Sequence, residues 1–192
     1  MKFETLRDGT TVLLREPTME DYDVSIRFFR NLSRGDRRYL RVDVTKDEIV
    51  KRRIEQAVSG DVYRLWAFDG DEVAGDGAVE FADEQWLEHM GELRVIVGGK
   101  YQRRGLGTLL IRELFDACER RELEKVVIKT LEPQRPIRAA CEKLGFRIDS
   151  VTPDYAKDRD GKLHSLVIMS CTMDDWFRQM KDFHREQDWP DG

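Results

Sequence analysis

The sequence predicts an α+β fold, a mixed α/β arrangement in which a twisted mixed sheet carries flanking helices. Three observations predict it. Strand-like runs alternate with capped, amphipathic helical patterns through the middle of the chain. Pairs of strand-like runs about short turns bracket that middle, which is the mark of β-hairpins. The chain has 192 residues with no internal repeat or low-complexity linker, enough for one domain with a substantial core. That domain is expected over 1–171, with 172–192 forming a C-terminal amphipathic helix and tail packed on it or extending from it.

The elements follow in order. The run "FETLR-DG-TTVLLR" reads as a hairpin, with Asp8-Gly9 suited to a tight type I′ turn. Thr18 before "MEDYDVSIRFF" supplies a capping hydroxyl followed by first-turn acids, a helix start. Thr45 with Glu48 reads as a capping box, and behind it Val50, Ile54, Ala57 and Val58 share one apolar face. "VYRLWAF-DGDE-VAGDGAVEF" is two strands about a turn, and "ELRVIV" (92–97) is another strand. Leu106, Leu109, Leu110, Leu114, Ala117 and Cys118 mark a helix with a buried stripe. "KVVIKT" (125–130) is a strand; Pro136 suits a first helical turn and Gly145 that helix's end. "RIDSVTPDYA" and "LHSLVIMSC" flank "KDRDGK" as a second hairpin. Thr172 caps a final helix with Met173, Trp176, Phe177, Met180 and Phe183 at helical spacing, a stripe that docks on the sheet or forms a homodimer contact.

Composition narrows the function. Hydrophobic residues make up 40% and charged residues 37%, a soluble globular balance, and the formal net charge is −5. An acidic chain is a poor general binder of nucleic acid. The three cysteines (Cys118, Cys141, Cys171) are far apart and show no metal-ligand spacing, so neither a disulfide framework nor a metal site is expected. The N-terminal residues lack a signal-peptide apolar core, and no apolar run approaches the roughly 20 residues that span a bilayer, so a cytoplasmic protein without membrane attachment is expected.

The stretch "KYQRRGLGTLLIREL" (100–114) departs from this acidic background. From Leu93 to Arg112 there are five cations (Arg94, Lys100, Arg103, Arg104, Arg112) and no carboxylate. A strand, a glycine loop and a helix follow one another, the arrangement that presents free N–H groups at a helix N-terminus. Gly105 and Gly107 remove side chains that would block an anion's approach. The P-loop pattern G-x-x-x-x-G-K-[ST] is absent, and the Rossmann pattern fails because Leu110 stands where its third glycine belongs. A pyrophosphate held by backbone amides fits without either motif.

"Gln102-Arg103-Arg104-Gly105-Leu106-Gly107" resembles the [Q/R]-x-x-G-x-[G/A] loop of the GNAT superfamily of N-acetyltransferases. "GELRVIV" resembles the strand before that loop, "KVVIKT" the strand after its helix, and "PQRPIRAACEKLGF" the following helix with its Leu144-Gly145-Phe146 ending. The likeness covers roughly residues 90 to 147. Residues 7–41 resemble, more loosely, the start of bacterial Pat-type protein lysine acetyltransferase domains, although the chain has no room for the nucleotide-binding regulatory domain some of those carry.

The resemblance implies a GNAT-like sheet whose two central parallel strands splay apart to admit the pantetheine arm of acetyl-CoA. Backbone groups of Val95, Ile96 and Val97 would pair with that arm in the manner of an added strand. The pyrophosphate would lie on the amides from Arg103 to Thr108, beside Gln102, Gly105, Leu106 and Gly107. Gln134 stands where the family often has asparagine and would contact pantetheine. Glu92 matches the glutamate position used as general base in Pat-type enzymes; partial burial would raise its pKa. Glu80 and Glu84 are reserve bases. The Val95 N–H would meet the developing oxyanion. The family's thiolate-protonating tyrosine is replaced here by Cys141, which is either the general acid or a small packed cysteine. The function implied is acetyl-CoA-dependent acetylation of a primary amine, such as a protein lysine, with acetyl-CoA as cosubstrate and no metal. A small amine (polyamine, amino sugar or antibiotic) and a non-catalytic acyl-CoA-binding module are the alternatives. The acidic stretches 69–77 and 80–89 either favour a cationic acceptor or are solvated loops.

Overall fold

The computed structural model describes residues 1–82 and 84–187. Strands β1 (Lys2–Thr5) and β2 (Thr11–Arg15) form the expected first hairpin. Its turn differs from the expected one. Leu6 N–H donates to Thr10 O (2.8 Å), enclosing a three-residue loop in which Gly9 alone has positive φ, 86°. A type I′ turn needs two such residues.

Helix α1 (Tyr22–Asn31) is entered through a 3₁₀ turn at 19–21. The Asp21 carboxylate accepts from Thr18 N–H (2.7 Å) and from two nitrogens of Arg15 (2.6 and 2.7 Å), which fixes that entry. The short α2 (Arg34–Arg38) has no apolar periodicity; Ser33 Oγ caps it by accepting from Asp36 N–H (3.0 Å). Helix α3 (Asp47–Ser59) buries Val50 and Ile54 but leaves Val58 exposed. The capping box expected there does not form: the Thr45 hydroxyl donates to Asp43 (2.6 Å), and the helix starts two residues later, after Lys46.

Strands β3 (Val62–Asp69), β4 (Glu72–Phe81) and β5 (Met90–Val97) continue the sheet antiparallel. Helix α4 (Leu106–Arg120) crosses to β6 (Lys125–Leu131), which lies parallel to β5. Helix α5 (Arg135–Lys143) carries Pro136 in its first turn, and Gly145 follows its end with φ 87°. Strands β7 (Arg147–Lys157) and β8 (Leu163–Thr172) form the second hairpin, and α6 (Met173–Gln187) begins where Thr172 Oγ1 accepts from Asp175 N–H (3.1 Å). The sheet order is β1-β2-β3-β4-β5-β6-β8-β7.

Two cores sandwich the sheet. On one face Leu106, Leu110, Ile111, Leu114 and Phe115 of α4 meet Val79, Leu93, Ile128 and Met169. Trp176 stacks on Phe115 (centroids 3.9 Å apart), so the start of α6 belongs to this core, while Phe177 is 37% exposed. The side chain of Phe183 lies outside the described residues. On the other face Phe28, Phe29, Val50 and Ile54 pack on Trp66, Phe68 and Val73. Close approach of α4 depends on glycines in β4: a Cβ on Gly75 would sit 2.9 Å from Leu110 Cδ1 and 3.2 Å from Leu106 Cδ2.

The strand pair that matters for function comes apart. β5 pairs with β6 only from Met90↔Lys125 to Leu93↔Ile128, whereas its pairing with β4 runs on to Val97↔Gly75. The mixed sheet, flanking helices and parting parallel strands are the fold the sequence predicts.

Candidate active site

Beyond Leu93 the edge of β5 that faces β6 has no partner strand among the described residues, which leaves the backbone of Val95 and the N–H of Val97 open on that side. Alternation along β5 sends Val95 and Val97 toward the α4 core and Ile96 toward the opposite core. Arg94 shares the Ile96 face, as does Glu92.

The glycine loop continues from this edge. Tyr101 N–H donates to Gly98 O (2.8 Å), and Gln102 Nε2 donates to Val97 O (3.2 Å) and Asp36 Oδ1 (2.9 Å), tying the loop to the strand end and to α2. Arg103 has φ 61° and Gly105 φ 90°, two left-handed residues that reverse the chain into α4. The first α4 bond runs from Leu109 N–H to Gly105 O (2.9 Å). The N–H groups of Leu106, Gly107 and Thr108 therefore have no acceptor among the described residues, and they gather at the positive end of the helix dipole. Space is kept open at Gly107, whose nearest neighbour to an added Cβ would be Val97 Cγ2 at 3.6 Å.

The cation excess read from the local sequence is largely neutralised by acids from other elements. Arg104 pairs with Asp8 (2.7 Å), Lys100 with Glu72, Arg94 with Glu80 (2.5 Å), and Arg112 lies 3.9 Å from Glu4. Arg103 is exposed and meets no carboxylate among the described residues, so it is the loop cation left for an anion.

A cavity of about 120 Å³ opens where β5 and β6 part. Leu93, Val95, Ile128 and Thr130 form its strand walls, Gln134 and Ile137 one end, and the 39–44 segment the other. Gln134 stands just before α5 without capping it; its Oε1 accepts from Leu131 N–H (2.8 Å), and its Nε2 has no partner among the described residues. A larger cavity of about 450 Å³ lies beside Gly98–Tyr101, between α1 and the start of β4, with mixed charges from Arg27, Lys100, Asp36, Asp71 and Glu72. It adjoins the glycine loop, whereas the smaller one lies at the strand gap.

Glu92 is half-buried and held by two cations: Lys129 Nζ donates to Oε2 (2.7 Å), and the Arg41 guanidinium lies against Oε1. Burial pushes its carboxyl up, but Lys129 and Arg41 outweigh burial and hold it below the ordinary range. This is the reverse of the rise expected from burial alone, because both cations come from distant segments. Of the reserve bases, Glu80 is bound to Arg94, and Glu84 is exposed at a 3₁₀ turn outside the cavity.

Cys141 does not reach the cavity. It is fully buried in the α4-side core with Leu144 and Phe146, and burial pushes its thiol up to about 12. The packed-cysteine alternative is the one the structure contains; the residue faces inward because α5 must bury its apolar stripe.

The cavity also uses residues that the sequence did not single out as functional: Tyr39, Arg41, Arg53 and Lys129. Arg53 and Arg64 both bind the buried Asp76 (2.6 Å each), and Trp66 Nε1 donates to the same carboxylate (3.1 Å). No short-range pattern links these residues; only the fold brings them together.

A strand gap beside an amide-lined helix start is the architecture of an acyl-CoA-dependent transferase. The model of the acetyltransferase (GNAT) family matches residues 21–146, and the chain belongs to that family. Solved structures agree on the fold. A GNAT-family acetyltransferase from Streptococcus pneumoniae superposes with TM-score 0.73 at 21% identity, covering 84% of this chain and 99% of that one. The ribosomal-protein-S5-alanine acetyltransferase of Vibrio fischeri gives TM-score 0.76 at 16% identity over 92% of this chain and 97% of that one. A phosphinothricin acetyltransferase from Sinorhizobium meliloti, in complex with AcCoA, gives 0.72 at 15% identity over 84% and 88%.

Proposed function

We propose that this acetyltransferase moves the acetyl group of acetyl-CoA directly to a small primary amine in the β5–β6 gap, with Glu92 as proton acceptor. The observation that carries the reading is the coincidence of three features along β5 and the loop that follows it: the 94–97 edge without a partner strand, the open N–H groups of 106–108, and the cavity at the strand gap. The amides and Arg103 take the diphosphate, the strand edge takes the pantetheine amides, and Gln134 Nε2 adds a donor.

The amine nitrogen attacks the thioester carbonyl, a C–N bond forms, and the oxygen's growing charge falls on the Val95 N–H. Collapse breaks the C–S bond, and the thiolate leaves to solvent, since Cys141 is closed off in the core. An ionised carboxylate held low by Lys129 and Arg41 is a weak base alone. The cations lining the cavity complement it, because like charge disfavours the ammonium form of the bound amine and so delivers the nucleophile neutral. Glu92 then receives the proton lost after attack, through a water.

Two measurements test this. Calorimetric titration with acetyl-CoA yields saturable binding that Gly105→Ala weakens; absence of binding ends the proposal. Glu92→Gln lowers kcat by roughly 10² with acetyl-CoA affinity unchanged, the size expected for loss of a general base; unchanged turnover removes Glu92 from the role. A second reading, acetylation of a protein lysine, is favoured by the resemblance of residues 7–41 to Pat-type domains. A panel of lysine peptides and small amines, followed by CoA release, separates the two.

A further inference from the structure

Among the described residues, four cationic side chains line the strand-gap cavity, Arg41, Arg53, Arg94 and Lys129, and no carboxylate does. The carboxylates that partner them, Glu92, Asp76 and Glu80, stand behind the lining. Asp76 also holds Arg64, so five cations share three anions in a chain whose net charge is −5. The deficit appears in the hydrogen bonding as well. Nε of Arg53, Nε of Arg94 and Oγ1 of Thr130 are buried without a partner among the described residues, and all three belong to lining residues. Each is a donor. Native interiors seldom leave buried donors unmatched, and a site that does so is incomplete without an acceptor.

We infer that the acceptor amine carries its own anionic group, a carboxylate or a phosphate, which Arg94 and its neighbouring cations hold while the amine faces the thioester. The inference rests on the proposed acetyl transfer and names its substrate class. A guanidinium fork matches a carboxylate or phosphate in two parallel hydrogen bonds, and it repels a polyamine or a lysine-rich peptide. Arg41 and Lys129 bridge the anion to Glu92, so the group that anchors the substrate also sets the amine's distance from the proton acceptor.

The test compares matched amines by CoA release: methionine against methioninamide, 4-aminobutyrate against butylamine, and phosphoethanolamine against ethanolamine. The anionic member of at least one pair is favoured tenfold or more in kcat/KM, about the value of a charge-assisted hydrogen bond, and Arg94→Gln collapses that ratio. Equal ratios, a preference for the uncharged members, or a ratio that survives both Arg94→Gln and Lys129→Gln overturns the inference. Binding of the acetylated products to the CoA-loaded protein is measured alongside, without turnover. N-acetylmethionine binds more tightly than N-acetylmethioninamide; equal binding overturns the inference. Selective binding of the anion with no CoA release from any amine instead overturns the proposed transfer.

Discussion

Asp76 is fully enclosed, and three side chains depend on it: Arg53, Arg64 and the indole of Trp66. Burial pushes its carboxyl up, but the two guanidinium groups prevail and hold it below the ordinary carboxylate range. A carboxyl depressed in the folded state stabilises the fold above its unfolded pKa, and that contribution disappears as pH falls through the lower folded value. Asp76→Asn strands a nearly inaccessible Arg64, at a cost of about 3–5 kcal/mol. Urea denaturation at neutral pH shows that loss, and repeating it at about pH 3 shows a smaller gap between variant and parent. Turnover has its own residue-scale signature. If the cavity's cations lower the bound amine's pKa as proposed, kcat should level off well below the pKa of the same amine free in water. A kcat profile that keeps climbing to the free amine's own pKa contradicts the charge argument. Sequence places Glu92 correctly on its strand but misses what surrounds it, since Arg41 and Lys129 meet it only after three separate segments have folded together.

Among the elements, α4 does most to build the site, and its approach to the sheet is set by β4. An alanine at Gly75 would force Leu110 Cδ1, Leu106 Cδ2 and the carbonyl oxygen of Ile96 apart, the last at 3.3 Å. Gly75→Ala therefore costs about 1–3 kcal/mol as overpacking. It also moves the helix start that carries the open amides, so acetyl-CoA affinity falls together with Tm. Gly105→Ala acts differently, by placing a Cβ at φ 90°; it costs about 1–2 kcal/mol locally and weakens acetyl-CoA binding with a smaller loss of Tm. Calorimetry and thermal unfolding on both variants separate the effects. The glycine loop is legible in sequence because strand, turn and helix start are contiguous and each leaves a local mark. Helix α2 is not, because "RGDRR" has no apolar face and is held by Arg34–Asp160 (2.7 Å) and Arg38–Asp158 (2.6 Å), contacts with the far hairpin. The capping box at Thr45 fails for a related reason: Asp43, placed by its ion pair with Arg159 (2.6 Å), takes the hydroxyl instead.

At the scale of the molecule, those ion pairs fasten the 34–43 segment to the β7–β8 turn. Asp158 is the rivet: its carboxylate accepts from Arg38, His164 Nε2 (2.7 Å) and the N–H groups of Asp160 (2.9 Å) and Lys162 (3.0 Å). Asp158→Asn should raise KM for the amine more than KM for acetyl-CoA, because it loosens the wall that carries Tyr39 and Arg41 and leaves the glycine loop alone. Hydrogen exchange confined to 34–46 and 157–163 checks the cause. The sheet has a weak line of its own. Among the described residues, the strand registers from Met90↔Lys125 to Leu93↔Ile128, with the bonds to His89 O just before them, stitch its five-stranded part to its three-stranded part. A cofactor lying along the remaining gap would act as a removable splint across that seam. Saturation a hundredfold above Kd adds about 2.7 kcal/mol to the folded state, so the loaded enzyme should melt later than the bare one and resist proteolysis at the seam, which ties the protein's lifetime to its supply of thioester.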